Sequence, residues 1–158
     1  MSQETTRITL SSPDQTAALA QRLGACLGPG DTLLLQGPIS AGKTHFARSR
    51  IQSRLTAPED VPSPTFTLVQ TYEADGVEIW HADLYRLTSP DEVVELGLTD
   101  AFQSAICLVE WPDRLGALAP QDALTLSFAQ GNADETRELT LSWAAPAWTT
   151  RLSGVLYD

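Results

Sequence analysis

Residues 37–44 read Gly37-Pro38-Ile39-Ser40-Ala41-Gly42-Lys43-Thr44, and Lys43 is the only lysine in the chain. The pattern Gly-x-x-x-x-Gly-Lys-Thr is that of a phosphate-binding P-loop. It constrains the fold because such a loop works only as the turn between a buried strand and a helix. Thr32-Leu33-Leu34-Leu35-Gln36 supplies an apolar run of strand length ahead of it, and residues 44–55 read as the helix behind it. In that order the loop aims successive backbone N–H groups and a helix N-terminus at one anion. Lys43 would reach the β- and γ-phosphates of a nucleotide and the Thr44 hydroxyl would ligate Mg2+. A glycine-bearing turn before an ordinary helix is the weaker reading, because the flanks fit as well as the loop.

At 158 residues the chain reads as one domain, residues 1–158, long enough to bury about 70% of its unfolded surface. Its N-terminus is polar, with no hydrophobic signal core behind it, and no apolar run approaches the length of a membrane span. Cys26 and Cys107 sit in apolar patterns, one read on a helix and one in a strand. They read as small hydrophobes of a reducing compartment rather than a disulfide, so a cytoplasmic protein is expected. Ten basic residues stand against twenty acidic ones, a net charge of −10. A protein that grips a nucleic-acid backbone needs clustered Lys and Arg. Direct binding to DNA is therefore not expected, and any service to RNA would pass through a protein partner.

Arg7-Ile8-Thr9-Leu10 alternates as a short strand. Ser12-Pro13-Asp14-Gln15 opens a helix, with Ser12 as N-cap, Pro13 at N1 and Gln15 in the capping-box position. Leu19, Leu23 and Leu27 form its buried stripe, and Gly28-Pro29-Gly30-Asp31 is expected to end it. Ala47, Ile51 and Leu55 mark the inner face of the helix after the P-loop. Three prolines keep residues 57–64 from being helical. Strands are expected at 66–72 and 77–83, joined by a hairpin turn, and Ser89-Pro90-Asp91-Glu92 caps a short helix carrying Val93, Val94, Leu96 and Leu98. Ile106-Cys107-Leu108-Val109 reads as a buried strand. Leu124-Thr125-Leu126-Ser127-Phe128 and Leu139-Thr140-Leu141-Ser142-Trp143 read as an antiparallel pair around Gly131, and residues 148–157 as a closing helix. The fold class is α/β: a P-loop NTPase-like three-layer sandwich with a mixed, mostly parallel sheet and a C-terminal antiparallel hairpin.

Hydrolysis also needs acids beyond the γ-phosphate, and these come from the C-terminal ends of strands beside the P-loop strand. Glu110 follows four apolar residues and Asp83 ends residues 77–83, so both are candidates. Glu110 is assigned to the Mg2+ and Asp83 to its water shell or the attacking water, though the two roles could be exchanged. Thr65, in Ser63-Pro64-Thr65-Phe66, stands where a switch loop can sense the γ-phosphate, with a proline-stiffened strand entry as the competing reading. His81 reads as a packed, hydrogen-bonded histidine ahead of a catalytic base, and Trp111 as the filling of a hydrophobic slot ahead of a stack on a base or partner.

Taken together, Gly37 to Thr44, Ser63-Pro64-Thr65-Phe66-Thr67-Leu68-Val69, His81-Ala82-Asp83-Leu84-Tyr85-Arg86-Leu87 and Ile106-Cys107-Leu108-Val109-Glu110-Trp111-Pro112 resemble the TsaE (YjeE) family of small bacterial ATPases, in that family's order and over residues 8–141. The resemblance implies a protein that binds ATP with Mg2+ and docks on TsaD- and TsaB-like proteins. Its slow ATP hydrolysis would reset that complex while it forms threonylcarbamoyladenosine at the adenosine following the anticodon of ANN-decoding tRNAs. The tRNA would be met only indirectly. The resemblance gives Lys43 and Thr44 the P-loop roles, Glu110 the Mg2+-linked acid, Asp83 the second essential acid and residues 63–66 the switch. It also suggests Ser12 and Arg137 as nucleotide contacts. Two departures stand out: Ser40 replaces a usual glycine, and Ala82 a usual aromatic.

Two rivals remain. A small-molecule or nucleoside kinase needs a lid rich in arginine late in the chain, where only Arg114, Arg137 and Arg151 occur. A nucleotide-gated assembly factor with negligible turnover would use the same loop. A GTPase is disfavoured, since its Asn-Lys-x-Asp motif needs a second lysine.

Overall fold

The computed structural model describes residues 4–37, 43–54, 69–74, 76–85, 87, 89–131 and 136–156. Seven strands form one sheet: β1 (Glu4–Leu10), β2 (Thr32–Gln36), β3 (Val69–Ala74), β4 (Val77–Asp83), β5 (Ile106–Glu110), β6 (Leu124–Gln130) and β7 (Arg137–Trp143), in the order β1-β7-β6-β2-β5-β4-β3. β6, β2, β5 and β4 run parallel at its centre, while β3, β7 and β1 add antiparallel neighbours at the two edges. Central parallel strands are covered on both faces, which is why β2 and β5 are near-continuous apolar runs. Every residue of Ile106–Glu110 is buried. In β6 and β7 buried and half-buried positions alternate instead.

Helices cover both faces. α1 (Pro13–Gly24), α2 (Lys43–Arg54) and α5 (Pro146–Leu156) contribute Leu19, Leu23, Phe46, Ile51, Trp148 and Leu152 to a core shared with Leu33, Leu35, Ile106 and Leu108 of the sheet. α3 (Pro90–Glu95), α4 (Leu98–Ser104) and a 3-10 helix (Pro112–Leu118) cover the other face, with Val93, Leu98, Ala101 and Leu115 against Leu34, Ala82, Cys107 and Val109. Alternate residues of a strand point to opposite faces, so the split of Leu33 and Leu35 from Leu34 follows from the pleat.

Local chemistry explains most boundaries, and several differ from expectation. Ser12 caps α1, its Oγ accepting from Gln15 N–H at 3.3 Å, but the Gln15 amide oxygen accepts from Ser11 N–H at 2.7 Å, one residue before the capping-box donor. α1 ends at Gly24 with Ala25 as its cap, ahead of the expected stop. The Gly28 turn is instead pinned from outside: Asp31 accepts from Gly28 N–H at 2.7 Å and from Arg151 of α5 at 3.0 Å. Cys26 consequently lies just past α1 rather than on it. The segment after Ser89 is two helices, because Gly97 adopts φ 85° between them. Val94, expected among the apolar set, is 52% exposed.

Neither Cys26 nor Cys107 forms a disulfide, and the Cys26 thiol donates to Leu23 O at 3.0 Å. Burial pushes the Cys107 thiol up from 9.0 to about 12, against a smaller opposing pull from the Thr32 hydroxyl. The folded chain keeps a proton that the unfolded chain releases. Its stabilising effect is therefore full below pH 9.0 and is lost as the pH rises towards about 12. Urea unfolding should show the wild type losing up to ~1.4 kcal/mol per pH unit relative to Cys107→Ala above pH 9.0. Parallel pH profiles for the two proteins would contradict this assignment.

Candidate functional site at the carboxyl edge of the sheet

The parallel centre brings three strand ends to one edge. Leu35 of β2 pairs with Glu110 of β5, and Glu110 pairs with Asp83 of β4. The ladder continues beyond the strands, with Trp111 N–H donating to Leu35 O at 3.2 Å and Leu84 N–H donating to Glu110 O at 3.1 Å. Two carboxylates, at 5% and 2% residue exposure, thus stand side by side next to the strand that feeds the P-loop. Glu110 is not an exposed strand end. The pleat puts His81, Asp83, Leu108 and Glu110 on the face that α2 covers.

α2 begins at Lys43. Lys43 is 4% exposed and its ammonium donates to Gly37 O at 2.7 Å, which ties the first residue of the motif to its lysine. The same Nζ lies 3.6 Å from the centroid of the Trp111 ring, a cation–π contact of about 0.5–2 kcal/mol. Burial lowers the Lys43 pKa, and the carboxylates of Glu110, Asp83 and Asp113 pull it back up. An ammonium with three donors, one of them given to a carbonyl among the described residues, suits an anion as a further partner.

Gly37 requires its missing side chain. It adopts φ 136°, and a Cβ there would stand 2.4 Å from the Phe128 carbonyl oxygen of β6. Behind it Phe46 of α2 meets Phe128 edge-on, with ring centroids 5.8 Å apart, which fixes α2 against the sheet. Strain of this kind costs about 1–3 kcal/mol, so Gly37→Ala should lower the melting temperature by roughly 2–12 °C in a chain of this length. An unchanged melting temperature would mean that the loop entry relaxes freely.

Trp111 is the only described non-glycine residue at positive φ, 58°. That conformation folds the indole back from the end of β5 onto Lys43 and against Tyr85, whose ring centroid is 4.9 Å away. Trp111 does pack against the core formed with α3 and α4, as a slot-filling residue would, yet it also touches the P-loop lysine. His81 is fully buried, and its Nε2 lies 2.7 Å from Glu110 Oε2. The expected packed, hydrogen-bonded histidine is therefore bonded to a candidate acid. Asp83 Oδ1 accepts from Tyr85 N–H at 3.0 Å.

Ser12 and Arg137 lie at the corresponding end of the outer strands. Leu10 pairs with Arg137 across β1 and β7, two residues before Ser12, and His45 of α2 contacts the carbonyl of Pro13 at 3.0 Å. The α1 N-terminus and the start of α2 are thus neighbours, and Ser12 spends its hydroxyl on capping. Pro38, Ile39, Ser40, Ala41, Gly42 and Thr65 lie outside the described residues, as does the side chain of Thr44. Among the described residues no three His, Cys, Asp or Glu side chains form a metal cage. Paired carboxylates at a phosphate loop nevertheless suit a hard cation that draws further oxygen ligands from a nucleotide, as Mg2+ does.

A parallel sheet centre with a phosphate loop between β2 and α2, and acids on the adjacent strand ends, defines a P-loop NTPase-like fold. The chain belongs to the TsaE family: residues 10–139 match the family described as Threonylcarbamoyl adenosine biosynthesis protein TsaE. It is 36% identical over 132 residues to the TsaE protein of Bacillus subtilis, covering 83% of this chain and 81% of that one. It is 44% identical over 105 residues to the TsaE protein of Rickettsia conorii, covering 66% of this chain. The match spans 60% of the length of that protein and 61% of the Rickettsia felis one. The crystal structure of Bacillus subtilis YdiB superposes with a TM-score of 0.81 at 25% identity, covering 98% of this chain and 96% of that one. No described helix is long and apolar enough to cross a membrane.

Proposed function

We propose that this chain is an ATPase that binds Mg-ATP and slowly hydrolyses it in support of TsaB- and TsaD-like partners, which form threonylcarbamoyladenosine at the adenosine following the anticodon of ANN-decoding tRNAs. The observation that carries the reading is the buried Lys43 ammonium at the mouth of the loop, within the field of Glu110 and Asp83 at adjoining strand ends. Family membership supports the pathway. Lys43 binds and orients the β- and γ-phosphates, its donors placed in advance where negative charge develops. Thr44 and Glu110 would hold the Mg2+, with Asp83 orienting its water shell or the attacking water. Bound with the nucleotide, the metal would neutralise charge developing on the phosphates. Slow turnover is expected of a site that a partner completes.

The isolated chain should bind Mg-ATP, release phosphate weakly, and change its rate markedly when TsaB- and TsaD-like proteins are added. Mass spectrometry of tRNA nucleosides from cells depleted of the protein should show less threonylcarbamoyladenosine. An unchanged level would remove the pathway and leave an ATP-binding protein. Phosphate found on a small acceptor would make the chain a kinase.

A further inference from the structure

His81 is placed as a partner of one acid rather than as core filling. It sits two residues before Asp83 on β4, where the pleat turns both side chains to the face shared with Glu110. Its Nε2 meets Glu110 Oε2 at 2.7 Å, with the two side chains 0% and 3% exposed. A carboxylate oxygen accepts, so Nε2 carries the hydrogen; a short bond of this type in a dry site is directional and strong. The other ring nitrogen, Nδ1, is buried with no hydrogen-bond partner among the described residues. A side chain chosen for packing alone would be apolar here, because an imidazole with an unsatisfied nitrogen costs free energy in the interior. The bond to Glu110 is what the imidazole provides in return.

We infer that His81 is a positioning residue: its Nε2–H fixes the rotamer of the Glu110 carboxylate, without His81 itself touching the nucleotide. Glutamate carries three side-chain torsions, and a site acid must be held close to its productive geometry to act. A rigid ring on the neighbouring strand supplies that restraint, much as outer partners orient the ligands of metal sites. The inference rests on the ATPase reading above.

Three full-length variants test it. His81→Ala should lower kcat about 10- to 100-fold, with KM for ATP and Kd for ADP changed less than about threefold, because the loop and Lys43 are untouched. His81→Gln can bring an amide N–H near the position of Nε2 and should recover kcat to within about threefold of wild type. His81→Asn, whose shorter amide matches Nδ1, should not. Independently of activity, proton NMR of the nucleotide-free chain should show a downfield, slowly exchanging ring N–H that vanishes in His81→Ala and shifts in Glu110→Gln. Wild-type kcat in His81→Ala would overturn the inference, as would a folded His81→Gln as slow as His81→Ala, or losses that merely track melting temperature. If the wild type releases no phosphate even with its partners, the ATPase reading falls and the role falls with it. The NMR signal then still decides whether the bond exists.

Discussion

Lys43→Ala is expected to weaken Mg-ATP binding at least about 100-fold, the equivalent of roughly 3 kcal/mol, while leaving the circular dichroism of the folded chain unchanged. The lysine is 4% exposed, and burial already works against its charge. An arriving phosphate relieves that cost and gains charge-assisted bonds, each about 1.5–3 kcal/mol. No other lysine exists to substitute. Folding should survive because the substitution removes a hydrogen bond to Gly37 O and the packing of the ammonium on the Trp111 ring, both at the edge of the core. Isothermal titration of wild type and variant measures the effect directly. Binding within threefold of wild type would mean that the anion sits elsewhere.

The second large effect separates binding from chemistry. Glu110→Gln and Asp83→Asn should each keep nucleotide affinity within about tenfold and lower phosphate release by roughly 100-fold or more. Amide replacements are better tests than alanine. Glu110→Ala would strip His81 of its bonded partner in a fully buried position, adding a stability cost of about 1–3 kcal/mol that has nothing to do with turnover. Glutamine keeps an acceptor for the imidazole, and asparagine at 83 keeps one for Tyr85 N–H. Wild-type hydrolysis in both amide variants would falsify the role given to these carboxylates. Loss in only one would decide which acid is indispensable.

Much of this arrangement is local and therefore legible in the sequence. The apolar run 32–35, the P-loop pattern and the helix behind it follow short-range rules, as does the Ser12 cap. Glu110 and Asp83 are legible as strand-end acids because ligands of parallel sheets gather at that edge. What the sequence withholds is register, which depends on pairings made across long separations. Nothing near Ile8 says that it will lie opposite Leu139, or that the first strand closes the sheet beside the last. The partner of His81 is hidden for the same reason: Glu110 is 29 residues away, and only the β4–β5 pairing brings the two together. The contact of Trp111 with Lys43 depends on a left-handed residue that no pattern announces, since tryptophan rarely adopts φ near 58°. Gly97 is readable as a breaker, yet the run of Val93, Val94, Leu96 and Leu98 around it imitates one continuous helix. Thr65 and residues 38–42 lie outside the described residues, so their assigned contacts with phosphate and Mg2+ are proposals carried by motif alone.

Crystals grown with magnesium and a non-hydrolysable ATP analogue would reveal directly whether Lys43 and the two acids form the nucleotide site. A triphosphate should lie within hydrogen-bonding distance of the Lys43 ammonium, with the Glu110 and Asp83 carboxylates turned towards the metal. A triphosphate bound away from Lys43, or carboxylates facing away from the metal, would contradict that assignment.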